Sequence, residues 1–293
     1  MENLHKFKLS AALTIPFKSD GYINIELLIE HAQNLLTRRC ECVTLGGTTG
    51  EGTSLSNAEK IDALKAMIDA GIPSNKIGLG IFGTDIFETI NFIKQGLALN
   101  INHLLITQPY YFKNPSAQGL TDWYDYIFTV IGDDLRDVIL YNIPSCTSID
   151  LPHETIKFLL EKYKDKIIGL KESSGDKAKT KRYQKAFPNL ALYVGSETYL
   201  GGMVANGATG SISGCANFIP EIVYAIIENK KDNEAVQTLV KHIVSYPVTP
   251  AVKFFVAQQY KNQTWLNVRP PLEVLDSSTQ KVLQNIYEQL SFN

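Results

Sequence analysis

Residues 41–71 read ECVTLGGTTGEGTSLSNAEKIDALKAMIDAG and contain one complete strand, turn and helix. Glu41–Leu45 is a short apolar run, which predicts a strand, and Asn57–Ala70 is amphipathic with helical spacing. Ser56, followed by an acid in the first turn, predicts where the helix begins, and Gly71 predicts where it ends. The stretch therefore predicts a strand that leads through a glycine-rich turn into an amphipathic helix.

The same alternation recurs along the chain. The predicted strands, all short and rich in Val, Ile or Leu, are Ser10–Ile15, Glu41–Leu45, Lys76–Ile81, His103–Ile106, Asp137–Tyr141, Lys166–Leu170, Leu190–Val194 and Gly210–Ser213. The helices predicted between them are Asn24–Leu36, Asn57–Ala70, Asp85–Leu99, Leu120–Ile131, Pro152–Tyr163, Lys177–Phe187 and Thr198–Asn206, the last followed by Gly207. Continuously apolar strands that alternate with helices are typical of a parallel sheet covered on both faces.

Eight evenly spaced units predict an α/β chain folded as a closed (β/α)8 TIM barrel, with an open doubly wound sheet as the alternative. No G-x-G-x-x-G motif follows the first strand, which argues against a dinucleotide-binding fold. After Ile219 only helices are predicted: Pro220–Asn229, Asn233–Tyr246, Pro250–Tyr260 and Ser277–Leu290. We therefore expect a barrel over residues 1–229, closed by the first of these helices, and a C-terminal helical domain over residues 230–293.

The composition excludes several classes of partner. The chain has 293 residues, 20% of them charged, and a net charge of −2 without a basic stripe, so we expect no nucleic-acid partner. Its apolar stretches fall short of the ~20 residues that cross a bilayer, so we expect no membrane partner. The first 21 residues lack a small-residue cleavage site, which indicates a cytoplasmic protein without a signal peptide.

The four cysteines are not spaced as metal ligands. Cys40 and Cys42 are one residue apart, and no second pair with histidine follows. We expect these two, Cys146 and Cys215 to be small buried side chains, and we predict no metal site.

In a barrel of this kind the functional residues lie at the carboxyl ends of the strands. The turn after the second strand, Gly46–Gly52, holds four glycines and two threonines. Such a turn exposes consecutive backbone N–H groups and suits a carboxylate or phosphate, although an ordinary tight turn has the same composition. At the end of the fifth strand, Tyr141 shares a face with Ile139, so its phenol lies either at the barrel mouth or in a plain rim position.

Lys171 ends the apolar sixth strand, on the face that alternation assigns to Ile167 and Gly169. One interpretation is a side chain that reaches out to solvent. The other is a nucleophile that forms an imine, since an amine attacks a carbonyl in its uncharged form, which apolar surroundings favour. Gly169 would then leave room for a ligand, and Tyr141 on the neighbouring strand could transfer the protons that imine formation requires.

Four motifs in order resemble one family, the pyruvate-dependent class I aldolases that include dihydrodipicolinate synthase and N-acetylneuraminate lyase. They are Gly46–Glu51, Pro109–Tyr111, Tyr141–Pro144 and Gly169–Glu172, and the likeness extends from about Ser10 to Leu272. The resemblance implies a TIM barrel with a C-terminal helical domain, commonly a homotetramer built from dimers, with no metal or organic cofactor. Its substrates would be pyruvate and an aldehyde.

The resemblance also implies roles for single residues. Lys171 would form the imine with pyruvate, and Tyr141 would be the proton relay. Thr48 and Tyr111 would complete that relay, Tyr111 reaching the site of the adjacent subunit. The residues implied in substrate binding are Thr49, Gly47, Ile212, Gly195 and Ser173.

One departure from the family pattern bears on the second substrate. Dihydrodipicolinate synthases read Y-N-V-P-x-R-T-G after the strand-five tyrosine, and their arginine binds the carboxylate of aspartate semialdehyde; here Cys146 takes the arginine position. A thiol offers no cationic fork, and losing such a contact costs about 1.5–3 kcal/mol. Asn57 and Lys60 stand where the family has its feedback histidines, so we expect no lysine inhibition.

The prediction is therefore a lyase that makes or breaks a carbon–carbon bond between pyruvate and an aldehyde. The dihydrodipicolinate synthase reaction is the first expectation, since Thr48, Thr49 and Tyr111 match it. N-acetylneuraminate lyase and 2-keto-3-deoxy sugar-acid aldolase are the alternatives, because Ser173, Ser196 and Glu197 could hydrogen-bond a polyol. Hydroxy-oxoglutarate-type aldolases, hydratase-aldolases and, more remotely, a non-catalytic sensor of 2-oxo acids also remain open.

Overall fold

The computed structural model describes residues 6–289 of the chain. Residues 1–5, which begin the segment searched for a signal peptide, and Leu290, the predicted end of the last helix, lie outside the described residues. The eight predicted strands are confirmed, with ends that differ by a few residues. They are β1 (Leu9–Ala12), β2 (Cys42–Leu45), β3 (Ile77–Ile81), β4 (His103–Thr107), β5 (Val138–Asn142), β6 (Ile167–Glu172), β7 (Ala191–Val194) and β8 (Ser211–Ser213).

All eight strands belong to one parallel sheet. Its order is β7-β6-β5-β4-β3-β2-β1-β8, so every strand neighbours the next along the chain and β8 returns beside β1. Tyr193 of β7 pairs with Gly210, directly before β8, and the Val194 N–H donates to the Gly210 carbonyl at 2.8 Å. These contacts join β7 to β8 and complete the (β/α)8 barrel.

The helices surround the sheet and continue beyond it. They are α1 (Ile25–Thr37), α2 (Asn57–Asp69), α3 (Ile86–Ala98), α4 (Ala117–Ile131), α5 (Pro144–Thr147), α6 (His153–Tyr163), α7 (Lys177–Ala186), α8 (Leu200–Ala205), α9 (Pro220–Asn229), α10 (Glu234–Ile243), α11 (Val248–Tyr260) and α12 (Ser277–Gln289). The start of α2 is confirmed by a capping box, in which Ser56 and Glu59 bond each other's backbone N–H. The short helix α5 was not predicted.

The barrel interior is a small apolar cluster separate from the layer between sheet and helices. It contains Phe7, Ala12, Cys42, Leu105, Ile139, Tyr141, Ile143, Ile168, Ala191, Tyr193 and Ile212. Ile167 belongs to the outer layer, so its predicted position on the face of Lys171 was wrong. The cause is a β-bulge: Val138 pairs with Ile167 but Ile139 pairs with Gly169, which inserts Ile168 and breaks the alternation.

The C-terminal helices pack over the carboxyl ends of the strands. In α10, the Gln237 side chain donates to the Thr198 carbonyl at 2.7 Å, and in α11 the Thr249 hydroxyl donates to the Thr48 carbonyl at 3.3 Å. No helix in the described part of the chain is long and apolar enough to cross a membrane. The division at residues 229 and 230 stays a prediction.

Candidate active site

A cavity of about 510 Å³ opens at the carboxyl ends of the strands. Most of the predicted site residues line it together: Thr48, Thr49, Tyr141, Lys171, Ser173, Gly195 and Ile212. They come from five βα turns or strand ends, β2, β5, β6, β7 and β8, which closure of the barrel brings to one place. Most of the residues predicted from the strand ends thus line one cavity.

Two predicted site residues lie outside this lining. Gly47 is buried within its turn, where its carbonyl accepts from Gly50 N–H at 3.1 Å and from Gly52 N–H at 3.0 Å. Tyr111 is 72% exposed and packs edge-on against Phe112 at 5.3 Å between ring centroids. Within a single chain, Tyr111 therefore does not contribute to the cavity.

Lys171 is buried near the end of β6. Its side chain is held on β6 directly opposite Tyr141 of β5, and the residue is 4% exposed. Nζ lies 4.4 Å from the centroid of the Tyr141 ring, and no carboxylate among residues 6–289 lies within ion-pairing distance of it. The alternative of a lysine extended into solvent was wrong, because the side chain turns into the barrel.

The neighbouring carboxylate, Glu172, is hydrogen-bonded to other residues. Glu172 follows Lys171 on the strand and therefore faces the opposite side. It accepts from Asn142 Nδ2 at 3.2 Å, from the Ser174 N–H at 3.0 Å and from the Thr180 hydroxyl at 2.6 Å. The Glu172 carboxylate is therefore bonded to these donors and not to the Lys171 amine.

The Tyr141 phenol connects Lys171 to the glycine-rich turn. Its hydroxyl lies 3.4 Å from Thr48 Oγ1, and its ring meets Phe82 edge-on at 6.0 Å between centroids. The amine, the phenol ring and the threonine hydroxyl therefore lie in sequence along the cavity wall. The nearest histidine does not compete as a base, since burial, with a smaller effect of the Lys171 charge, lowers the pKa of His103 to about 3.

The turn at Thr48 and Thr49 leaves backbone donors unused. Close approach shapes this turn, because a Cβ on Gly52 would lie 1.8 Å from the Gly46 carbonyl oxygen. Among the described residues, the N–H groups of Thr48 and Thr49 donate to no protein acceptor. Two free N–H groups in the cavity wall are the kind of site that binds an oxyanion.

Gly169 and Gly195 each lie close to another side chain near Lys171. The predicted ligand space over Gly169 is taken by a side chain: a Cβ there would lie 2.8 Å from the ring of Tyr193. That prediction was wrong because Tyr193 fills the barrel interior at this height. At Gly195 a Cβ would lie 1.9 Å from Ser173 Oγ, so glycine is needed for the two loops to meet in the cavity wall.

The cavity also has a wall that does not come from the strand ends and was not predicted. It consists of residues from α10, α11 and the link between them: Val240, Lys241, Ile243, Val244, Val248 and Val252. No local pattern marks them, since they follow ordinary amphipathic spacing far from the strand motifs. Cys146 also lines the cavity and is exposed, unlike the buried Cys40, Cys42 and Cys215, so its predicted burial was wrong.

Comparison with known proteins identifies the family. The profile of the Dihydrodipicolinate synthetase family matches residues 6–290. The chain belongs to this family. Because members of the Dihydrodipicolinate synthetase family are pyruvate-dependent lyases and aldolases, the chain is a class I aldolase, which argues against the non-catalytic sensor.

Relatives within the Dihydrodipicolinate synthetase family are named for different reactions. The chain is 30% identical to a 4-hydroxy-tetrahydrodipicolinate synthase of Brachyspira hyodysenteriae, over 79% of this chain and 78% of that one. It is 25% identical to a 2-dehydro-3-deoxy-phosphogluconate/2-dehydro-3-deoxy-6-phosphogalactonate aldolase of Saccharolobus solfataricus, over 92% and 90% of the two chains. The crystal structure of dihydrodipicolinate synthase from Agrobacterium tumefaciens superposes with a TM-score of 0.95 at 37% identity, over 98% of this chain and 100% of that one.

Proposed function

We propose that Lys171 forms an imine with the keto carbon of pyruvate. The uncharged amine attacks this carbon, the resulting carbinol hydroxyl takes a proton and leaves as water, and the imine withdraws electrons from the methyl carbon. Loss of a methyl proton gives the enamine, which adds to an aldehyde. The observation that carries this proposal is a buried lysine beside a tyrosine in a cavity, with no counter-ion among residues 6–289.

Tyr141 is the proposed proton carrier: it takes up the protons that the Lys171 nitrogen and the pyruvate methyl group release, and it delivers them to the departing hydroxyl and to the aldehyde oxygen. Its contact with Thr48 supports the proposal, since a hydroxyl chain returns a proton to the phenol after each transfer. Thr48 and Thr49, with their free N–H groups, would bind the pyruvate carboxylate, and Gly47 would shape their turn. Ser173, Gly195 and Ile212 would line the space beside the bound pyruvate.

Tyr111 is proposed to act on the site of a second copy of the chain. Its exposed ring lies in the β4–α4 loop next to exposed Phe112, outside the cavity of its own chain. Apolar rings this exposed are typical of a surface that another molecule covers. A homotetramer built from such dimers, in the cytoplasm, is part of this proposal.

For the second substrate we propose first an aldehyde with a carboxylate, as in the 4-hydroxy-tetrahydrodipicolinate synthase reaction. Similarity to the Brachyspira and Agrobacterium enzymes supports this substrate. The second candidate is a sugar-acid aldehyde, as for N-acetylneuraminate lyase or a 2-keto-3-deoxy sugar-acid aldolase. It is favoured by Cys146, which brings no cation, and by the hydroxyl and carboxylate groups of Ser173, Ser196 and Glu197 in the lining.

The imine is tested by incubating the protein with pyruvate and borohydride and then mapping the adduct by mass spectrometry. We expect one reduced pyruvate adduct on Lys171, and none in Lys171→Arg under the same conditions. An unmodified wild-type protein, or an adduct on another lysine, would contradict the proposal.

The second substrate is tested with a panel of aldehydes at fixed pyruvate. If Cys146 disfavours aspartate semialdehyde, Cys146→Arg gains turnover of that aldehyde, while Cys146→Ser, which adds no charge, does not. Wild-type turnover of aspartate semialdehyde at an efficiency above that for polyhydroxy aldehydes would decide for the first candidate.

A further inference from the structure

Helix α11 touches the glycine-rich turn at two points that lie one helical turn apart. The Thr249 hydroxyl donates to the Thr48 carbonyl at 3.3 Å, and the Lys253 ammonium forms a buried ion pair with Glu51. Between these two contacts, Val252 lines the cavity. One side of a C-terminal helix is therefore fitted against the segment that we propose binds the pyruvate carboxylate.

The contact at Thr48 fixes the orientation of one peptide group. The Thr48 carbonyl also accepts from the Glu51 N–H at 3.1 Å, so both of its lone pairs are used. In a trans peptide the carbonyl and the following N–H point in opposite directions. Holding the Thr48 oxygen toward Thr249 therefore aims the Thr49 N–H, one of the two free donors, away from α11.

The contact at Glu51 fixes the end of the turn. Glu51 has φ of 52°, in the left-handed region that residues other than glycine seldom adopt. Its carboxylate accepts from Lys253 and from the Arg269 N–H at 3.0 Å, and Lys253 Nζ also donates to the Asn267 carbonyl at 2.5 Å. The ion pair is completely buried, so the turn is tied to α11 and to the segment after it.

We propose that Thr249 and Lys253 are positioning residues that set the geometry of the carboxylate-binding turn. The inference rests on the proposed function, because it concerns how that site receives pyruvate. It assigns to the C-terminal helices a role in recognition of the substrate carboxylate, in addition to covering the barrel mouth. Changes at these residues should therefore affect binding of the substrate carboxylate and not reaction of the ketone.

The test compares Thr249→Val with Thr155→Val in the full-length protein. Thr155 is likewise buried and bonds a backbone carbonyl, that of Ala117 at 3.2 Å, but lies on α6 away from the cavity. Borohydride trapping is titrated with pyruvate and, separately, with acetone, a ketone without a carboxylate. Loss of one hydrogen bond in Thr249→Val should raise the pyruvate concentration for half-maximal trapping about three- to tenfold and leave that for acetone unchanged.

Thr155→Val should leave both half-maximal concentrations unchanged, even where its thermal unfolding matches that of Thr249→Val. Equal shifts for pyruvate and acetone in Thr249→Val, or no shift for either, would overturn the inference while trapping of the wild-type protein still supported the imine. Absence of trapping in the wild-type protein would instead refute the proposed function.

A second pair of variants tests Lys253. Lys253→Arg keeps the charge next to Glu51, and the double variant Glu51→Gln/Lys253→Met removes both charges, so neither leaves a buried ion unpaired. We expect Lys253→Arg to retain most of the pyruvate affinity, and the double variant to lose affinity for pyruvate but not for acetone. Unchanged pyruvate affinity in the double variant would contradict the role of the ion pair.

Discussion

The regions around Lys171 and Lys253 contain two buried lysines in similar surroundings but with different partners. Lys171 is 4% exposed with Nζ 4.4 Å from the Tyr141 ring centroid, and Lys253 is 0% exposed with Nζ 4.3 Å from the Phe17 ring centroid. Lys253 has a carboxylate and a carbonyl as partners, whereas Lys171 has neither within the part of the chain that the structure describes. Burial and an aromatic ring therefore do not distinguish Lys171, which we propose is catalytic, from the ion-paired Lys253.

What distinguishes them is where the partners of the amine come from. Lys253 Nζ donates to the Glu51 carboxylate and to the Asn267 carbonyl, so its ammonium serves to hold Glu51 and Asn267 together. Burial still lowers the pKa of Lys253 to about 8, although the Glu51 charge opposes that shift. Lys171 faces a cavity whose proton donors and acceptors, Tyr141 and Thr48, remain available to a substrate.

The largest expected effect follows from removing the amine at Lys171. Lys171→Met should lower kcat by about 10⁴-fold or more, since the nucleophile is lost. It should change the free energy of unfolding little, because no ion pair with another described residue is broken. Steady-state rates with pyruvate and the preferred aldehyde, together with urea unfolding, check both parts. A variant that unfolded at much lower urea would show that Lys171 also stabilises the barrel.

The matched change at Lys253 should reverse this pattern. Lys253→Met leaves Glu51 buried without its cation, which lowers the free energy of unfolding by about 3–5 kcal/mol. At temperatures at which the variant is still folded, it should form a borohydride-trapped adduct on Lys171. If Lys253→Met lost the adduct completely while remaining folded, the division between a catalytic and a structural lysine would be wrong.

The sequence was sufficient to predict the strands and the pairing of Lys171 with Tyr141. Both depend on local features: short apolar runs mark the strands, and neighbouring parallel strands bring their carboxyl ends to the same height. The bulge at Ile168 has no local signal, because it is set by packing inside the closed barrel. The contacts of Thr249 and Lys253 join residues separated by 201 and 202 positions, and single-sequence patterns carry no information at that distance.

A third buried lysine tests whether the lack of a counter-ion alone makes a lysine reactive. Lys60 is 3% exposed, its Nζ lies 4.8 Å from the centroid of the Phe92 ring, and it has no ion pair within residues 6–289. It does not line the cavity, however, so we expect no pyruvate adduct on it. An adduct on Lys60 in the trapping experiment would show that the cavity is not what selects Lys171.

Lys60→Met should stabilise the protein in a pH-dependent way. Burial lowers the pKa of Lys60 from 10.5 to about 8, and removing this buried charge is worth up to about 3 kcal/mol at pH 7. Between pH 8 and 10.5 the unfolded chain binds more protons than the folded one, so wild-type stability rises and the advantage of Lys60→Met shrinks. Urea unfolding of both proteins at pH 7 and pH 9.5 measures this difference in stability. The lowered pKa of Lys253 is present in both proteins, so its contribution cancels. A stability difference that grew with pH would contradict the lowered pKa of Lys60.

The smallest effect is expected at Lys241, the cation that lines the cavity from the C-terminal helices. Lys241 lies one helical turn after Gln237, whose side chain donates to the Thr198 carbonyl, so both side chains face the edge of the cavity. Lys241 forms no ion pair within the described chain. Lys241→Ala should raise KM about two- to fivefold for an aldehyde with a distal carboxylate or phosphate, as for a solvent-exposed ion pair, and leave pyruvate trapping unchanged. Lys281→Ala, which removes an exposed lysine from α12 away from the cavity, should change neither quantity. An equal rise in KM for an uncharged aldehyde would show that Lys241 contributes its aliphatic chain and not its charge. In that case Lys171 would bind pyruvate, but Lys241 would not recognise the charged group of the aldehyde.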